Sequence, residues 1–257
     1  MNSIQKADAI RKLKGKRGIS MLTAYDYPTA RLIDEAGVDI ILVGDSLGMV
    51  VLGFPDTTHV TLDMMLHHTA AVARGVNNAL IIGDMPIHSY DTPEQAVNTA
   101  KALVEAGADV VKLEGGIRQV EKVKAIVASG IPVIGHHGML PQRVIEDGGY
   151  KKKGKTEEES SAILNGALAL QEAGCFAIVL ESVIPELAEK ITNTLDIPTV
   201  GIGCKAKGGK ETCDGEVAVI TDTVGSYPWF VPPFAVQRAD VAAEITRSAK
   251  EYIRSVE

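Results

Sequence analysis

Six polar residues stand where apolar runs end, and their types define a chemistry before any fold is assumed. Asp45 follows Ile40-Ile41-Leu42-Val43-Gly44, Asp84 follows Leu80-Ile81-Ile82-Gly83, and Glu181 follows Ala177-Ile178-Val179-Leu180. Lys112 and Glu114 lie at the end of Val110-Val111-Lys112-Leu113-Glu114, and His136 comes after Val133-Ile134-Gly135. Carboxylates gathered at one place repel one another unless a cation relieves them. The donors are oxygens, with no cysteine cluster and no histidine pair at zinc spacing, so Mg2+ is expected rather than Zn2+. A cation held by few protein ligands keeps open positions. A 2-oxo acid can fill two of them through its carboxylate and keto oxygen, which makes the adjacent C–H acidic. Lys112 would then hold the substrate carboxylate or steady the enolate oxygen, and Glu181 would take or return a proton. Plainer roles stand beside these. Any single acid could cap the next helix, Lys112 could pair with Glu114, and His136 could be a satisfied core histidine instead of a substrate donor.

Residues so far apart in sequence need a scaffold that gathers strand ends. A recurring cassette supplies it: Ala36-Gly37, Ala106-Gly107 and Ala173-Gly174 each precede an apolar run that finishes on a carboxylate. The glycine ends a helix in the left-handed conformation, and the run that follows has strand length. Between the runs lie helical patterns, such as Ala96, Thr99, Ala100, Leu103 and Val104 behind the start signal Asp91-Thr92-Pro93-Glu94. Strands alternating with helices imply parallel pairing through right-handed crossovers. At 257 residues, near the roughly 250 of this architecture, the expectation is one (β/α)8 barrel domain over residues 1–257. Seven strands can be placed, the first at Ile19–Thr23, and the eighth is expected after Gly215 without definite bounds. Residues 1–14 read as an extra N-terminal helix closing the bottom of the barrel.

Two-residue alternation puts Lys112 and Glu114 on one side of their strand, and by the same rule pairs Ile82 with Asp84 and Val43 with Asp45. The long loops 137–159 and 204–214 both follow strands, hence lie on the catalytic face as lids or binding loops. The lysines of the second loop are either solvated or anion-binding. His67-His68 reads as structural, in a helix after Thr61.

Composition narrows the class. Hydrophobic residues make up 46 % of the chain and aromatics only 4 %, which suits buried parallel strands. A net charge of −7 argues against a nucleic-acid or anionic-membrane binder. The basic start lacks the apolar run of a secretory signal, and three cysteines make no disulfide framework, so a cytoplasmic protein is expected.

The motifs are specific enough to point to a family. Thr23-Ala24-Tyr25-Asp26-Tyr27, Val43-Gly44-Asp45-Ser46-Leu47-Gly48-Met49, Val111-Lys112-Leu113-Glu114-Gly115-Gly116 and Gly148-Gly149-Tyr150-Lys151 resemble the ketopantoate hydroxymethyltransferases, in family order. The resemblance implies a barrel related to the phosphoenolpyruvate mutase and isocitrate lyase enzymes. It implies transfer of a hydroxymethyl group from methylenetetrahydrofolate to 3-methyl-2-oxobutanoate through a Mg2+-chelated enolate, in pantothenate biosynthesis. By position, Asp45, Asp84 and Glu114 would serve the metal. Asp45, Ser46, Asp84, Lys112 and His136 would contact the oxo acid, and Glu181 would be the proton acceptor. A homo-oligomer, commonly a decamer, is also implied. The departures fall on loops: Cys204 replaces a small residue, the loop to Asp214 is longer, and Lys152-Lys153-Gly154 replaces Val-Gln-Gly. Two other readings are a related Mg2+-dependent lyase or aldolase acting on another 2-oxo acid, and a non-catalytic paralogue.

Overall fold

The computed structural model describes residues 1–257. Eight parallel strands close into a barrel in chain order: β1 (Ile19–Thr23), β2 (Ile40–Val43), β3 (Leu80–Asp84), β4 (Val110–Glu114), β5 (Val133–Gly138), β6 (Ala177–Glu181), β7 (Thr199–Ile202) and β8 (Gly215–Ala218). The helices are α1 (Ser3–Arg11), α2 (Tyr27–Glu35), α3 (Leu47–Val50), α4 (Leu62–Ala73), α5 (Pro93–Glu105), α6 (Val120–Ala128), α7 (Glu157–Glu172), α8 (Pro185–Thr194), α9 (Ile220–Val224) and α10 (Val241–Val256). Helix starts follow side-chain caps: the Thr61, Thr92 and Thr156 hydroxyls accept backbone N–H groups of α4, α5 and α7. Helix ends follow the Ala-Gly cassette, with Gly37, Gly107 and Gly174 at φ +86°, +112° and +105°, where a side chain would be strained.

The barrel interior is a packed core of strand residues taken two apart. It includes Met21, Ile40, Leu42, Leu80, Ile82, Val110, Ile134, Ala177, Val179, Val200 and Val217. Alternation thus points Asp84, Lys112, Glu114, His136 and Glu181 inward, above this core. Asp45 is different. The inward residues of β2 are Ile40 and Leu42, so Val43 does not share the interior face, and Asp45 lies two residues past the strand end at Val43. The turn after β2, not the pleat, brings Asp45 to the mouth.

Helix α1 lies over the opposite end. Ala7 and Ile10 join the inner core, and Lys6 Nζ reaches Ala79 O at 3.2 Å and Asp109 at 2.8 Å, both just before strands β3 and β4. The expected closing helix is present. Strand β8 is only Gly-Glu-Val-Ala with alternating burial, which explains why no apolar run announced it. A Cβ at Gly215 would meet Ile19 O at 2.3 Å, so glycine is required where the last strand closes on the first.

Residues 1–217 form one compact unit and residues 218–257 a second. Within the second, Gly225 ends α9 at φ +67° and Ala242 N donates to Gly225 O at 3.0 Å. No helix is long and apolar enough to cross a membrane.

Candidate active site

Strand register assembles the mouth. Asp84 is the cross-strand partner of Lys112, and Glu114 of His136. The side chains follow this pairing. Lys112 Nζ lies 2.8 Å from Asp84 Oδ1 and 3.8 Å from Glu114 Oε1, and 3.3 Å from His136 Nδ1. His136 bridges two acids, with Nδ1 at 3.2 Å from Glu114 and Nε2 at 3.2 Å from Glu181. Asp45 joins from the other side, its backbone N–H donating to Asp84 Oδ2 at 3.2 Å. Asp45, Asp84, Lys112, Glu114, His136 and Glu181 therefore form one continuous arc across the ends of β2 to β6. Ser46 sits beside it, its Oγ 2.9 Å from the Tyr25 hydroxyl. Lys112 does make an ion pair, but mainly with Asp84 and not with Glu114 alone.

The arc is buried, and that sets its electrostatics. Burial pushes Asp45 well above the ordinary carboxylate value, and repulsion from Asp84 and Glu114 adds to it. Burial also raises Asp84, with Glu114 adding to it, and Lys112 only partly offsets the rise. For Glu114 burial acts upward too, but the neighbouring His136 and Lys112 outweigh it and hold the value low. Burial and Lys112 work against a charged His136, yet Glu114 and Glu181 prevail and lift it to about 9. Lys112 is held above its usual value because its three carboxylate neighbours overcome burial. Glu181 differs in access: its side chain is 16 % exposed, against 1 % for Asp84 and 2 % for Glu114. Glu181 is thus the most accessible of these three acids.

Several further residues adjoin the arc. Gln142, in the short turn Pro141–Arg143 after β5, donates to Asp45 Oδ2 and accepts from the Tyr90 hydroxyl. Tyr150, exposed beside the Gly148-Gly149 turn, is pushed up to about 12 by partial burial and then by Glu181 and other carboxylates. Ser182, next to Glu181, has φ +48°, a strained conformation for a non-glycine residue. It is held from both sides: Ser182 N donates to Ile202 O and Ser182 O accepts from Lys153 N, both at 2.8 Å. The loop 139–156 is thereby tied to the end of β6.

Other residues prove structural. His137, on the opposite face of β5 from His136, has its ring against Gly116 and Gly166, where a Cβ would come within 2.7 and 2.2 Å of Nε2. Burial lowers it to about 4, with His136 adding to the effect. His68 Nδ1 donates to Tyr25 O at 2.6 Å and links α4 to the end of β1. In the lysine-rich loop, Lys205 pairs with Glu211 and Glu216, and Lys210 with Glu189.

Asp45 and Asp84 are the residues that could hold a hard cation. They are adjacent, offer oxygen, and their carboxyls are raised by burial and by repulsion from neighbouring carboxylates, the imbalance a divalent ion relieves. Glu114 is turned to His136 and to Gln142 N, which donates to its Oε2 at 3.1 Å. No three His, Cys, Asp or Glu side chains stand in a chelating group, and Asp45 and Asp84 would hold such an ion, with Glu114 nearby.

A (β/α)8 barrel with a buried acid–lysine–histidine arc at the C-terminal ends of its strands has the architecture of a barrel enzyme. Solved structures with the same fold include phosphonopyruvate hydrolase (TM-score 0.68, 17 % identity, 97 % of this chain and 88 % of that one) and 2,3-dimethylmalate lyase of the PEP mutase/isocitrate lyase superfamily (0.61, 18 %, 97 % and 88 %). Residues 5–257 match the family described as ketopantoate hydroxymethyltransferase. The 3-methyl-2-oxobutanoate hydroxymethyltransferase of Ignicoccus hospitalis is 51 % identical over 257 residues, covering all of this chain and 95 % of the relative. That of Acetivibrio thermocellus is 49 % identical, covering 97 % and 87 %. The chain belongs to the ketopantoate hydroxymethyltransferase family.

Proposed function

We propose that this chain transfers a hydroxymethyl group from methylenetetrahydrofolate to 3-methyl-2-oxobutanoate, giving 2-dehydropantoate (ketopantoate), with Mg2+ at Asp45 and Asp84. The observation that carries the reading is the intact arc, buried at Asp84 and open at Glu181, in a chain that matches the family along its length. When bound, Mg2+ would withdraw electrons from the oxo acid and acidify its C3–H. Lys112, already charged and fixed beside Asp84, offers a cation to the substrate carboxylate or keto oxygen. Glu181 takes the C3 proton, and His136, held between Glu114 and Glu181, steadies that carboxylate in the required orientation. Ser46, with Tyr25, presents a hydroxyl beside Asp45.

The exposed apolar residues Trp229, Phe230, Ile245 and Ile253 of the second unit favour assembly with further copies, in keeping with the decamer the resemblance implies. Free cysteines favour a cytoplasmic setting. The test is turnover of 3-methyl-2-oxobutanoate with methylenetetrahydrofolate and Mg2+, with exchange of the C3 proton followed alongside. Ketopantoate is expected. Exchange without ketopantoate would shift the reading to another Mg2+-dependent reaction of 2-oxo acids, and neither would defeat it.

A further inference from the structure

Gln142 is buried, and every polar atom of its side chain is used, as is its backbone amide. Its Nε2 donates to Asp45 Oδ2 and to Met85 O, both at 2.9 Å. Its Oε1 accepts from the Tyr90 hydroxyl, and its backbone N–H donates to Glu114 Oε2. One residue from the loop after β5 thus grips groups at the ends of β2, β3 and β4. The loop is itself anchored to β6, where Met139 N donates to Glu181 O at 2.9 Å.

The orientation of the amide follows from chemistry. Met85 O can only accept, and a carboxylate oxygen facing it across the same nitrogen also accepts, so the NH2 must point to both. Glutamate would set acceptor against acceptor there, whereas methionine would fill much the same length and donate nothing. The grip is one-sided: Asp45 Oδ2 is engaged, which leaves Oδ1 for a ligand. Outer hydrogen bonds of this kind orient metal-binding carboxylates.

We propose that Gln142 is a positioning residue that fixes the Asp45 carboxylate, with Tyr90 steadying the amide from behind, so that Asp45 and Asp84 present oxygens to one divalent cation. The proposal rests on the functional reading above. Its test is titration of the metal-free chain with Mn2+ alone, read by electron paramagnetic resonance of the free ion. Wild type should bind, and Gln142→Met should bind with a Kd raised on the order of 10- to 100-fold. A plain space-filling role would leave Mn2+ affinity unchanged per folded molecule, and that result overturns the proposal. Should Gln142→Met not fold, Tyr90→Phe removes a single hydroxyl. A rise of about fivefold in Kd is expected, and no change overturns the proposal. Failure of wild type to bind Mn2+ would overturn the metal reading and this inference together, whereas equal binding by wild type and variant defeats only the role of Gln142.

Discussion

The two ends of the barrel treat the same residue types in opposite ways. At the bottom, Asp39, Asp109 and Asp214 each immediately precede a strand and each meets a basic side chain and backbone N–H groups. Asp109 Oδ2 takes Lys6 Nζ at 2.8 Å and Ile81 N at 3.0 Å, and Asp214 Oδ2 takes Lys14 Nζ and Thr199 N, both at 2.9 Å. Asp34 accepts the backbone N–H groups of Asn77, Asn78 and Ala79. Burial acts upward on Asp34 and Asp39, yet these donors hold both below the ordinary value. At the mouth, Asp45 and Asp84 lie buried among other carboxylates and are raised. Two ion pairs of the same length sharpen the point. Lys6–Asp109 and Lys112–Asp84 both measure 2.8 Å, but the first pair is 18 % and 16 % exposed and the second 5 % and 1 %. Charges at the bottom are held low by their donors, whereas Asp45 and Asp84 at the mouth are raised, which is the imbalance the proposed cation would relieve.

That contrast can be broken by substitution. Lys112→Met should lower turnover on the order of 10³-fold, since it removes a charge aimed at the reacting group, and leave Asp84 and Glu114 buried beside fewer cations. Steady-state kinetics on the folded variant checks it. Glu181→Gln should lower turnover on the order of 10²-fold while oxo-acid affinity stays nearly intact. Equal rates for the two proteins would remove Glu181 from the chemistry. Asp34→Ala belongs to the other end. It should cost about 3 kcal/mol in urea unfolding, because three backbone donors lose a charged acceptor, with turnover per folded molecule unchanged.

The pH dependence separates two adjacent histidines. His137 is lowered from 6.5 to about 4 by burial, so the unfolded chain takes up its proton first as pH falls. The His137 contribution should be full above pH 6.5 and decline towards pH 4, on the order of 3 kcal/mol at about 1.4 kcal/mol per pH unit, whereas His136, lifted to about 9, contributes fully below pH 6.5 and loses that contribution as pH rises towards 9. Unfolding at pH 7.5 and 4.5 tests this, and the decline should flatten in His137→Gln. Asp34 acts lower: its depressed value keeps its contribution intact above pH 3.8, with loss only as pH falls further. The smallest effect is expected for Lys6→Ala, below about 1 kcal/mol, as for other part-exposed pairs.

Much of the mouth was legible in the sequence because each inward acid ends an apolar run whose alternation fixes its direction. The Ala-Gly cassettes marked helix ends for the same local reason. What was missed depends on chain reversal or closure. Strand β8 has four residues and no apolar run, since its role is to close against Ile19. Gln142, Tyr90 and Tyr25 come from loops, where neither period nor spacing says which way a side chain turns. The alternation rule also misassigned Val43, because Asp45 reaches the site from a turn beyond its strand.

The most direct measurement is Mg2+-dependent deuterium exchange at C3 of 3-methyl-2-oxobutanoate, followed by nuclear magnetic resonance in wild type and Asp84→Ala. Exchange should require Mg2+ in wild type and vanish in the variant, whose Asp34 end remains intact. Unchanged exchange after loss of Asp84, or exchange indifferent to Mg2+, would contradict a mouth built around one shared divalent cation.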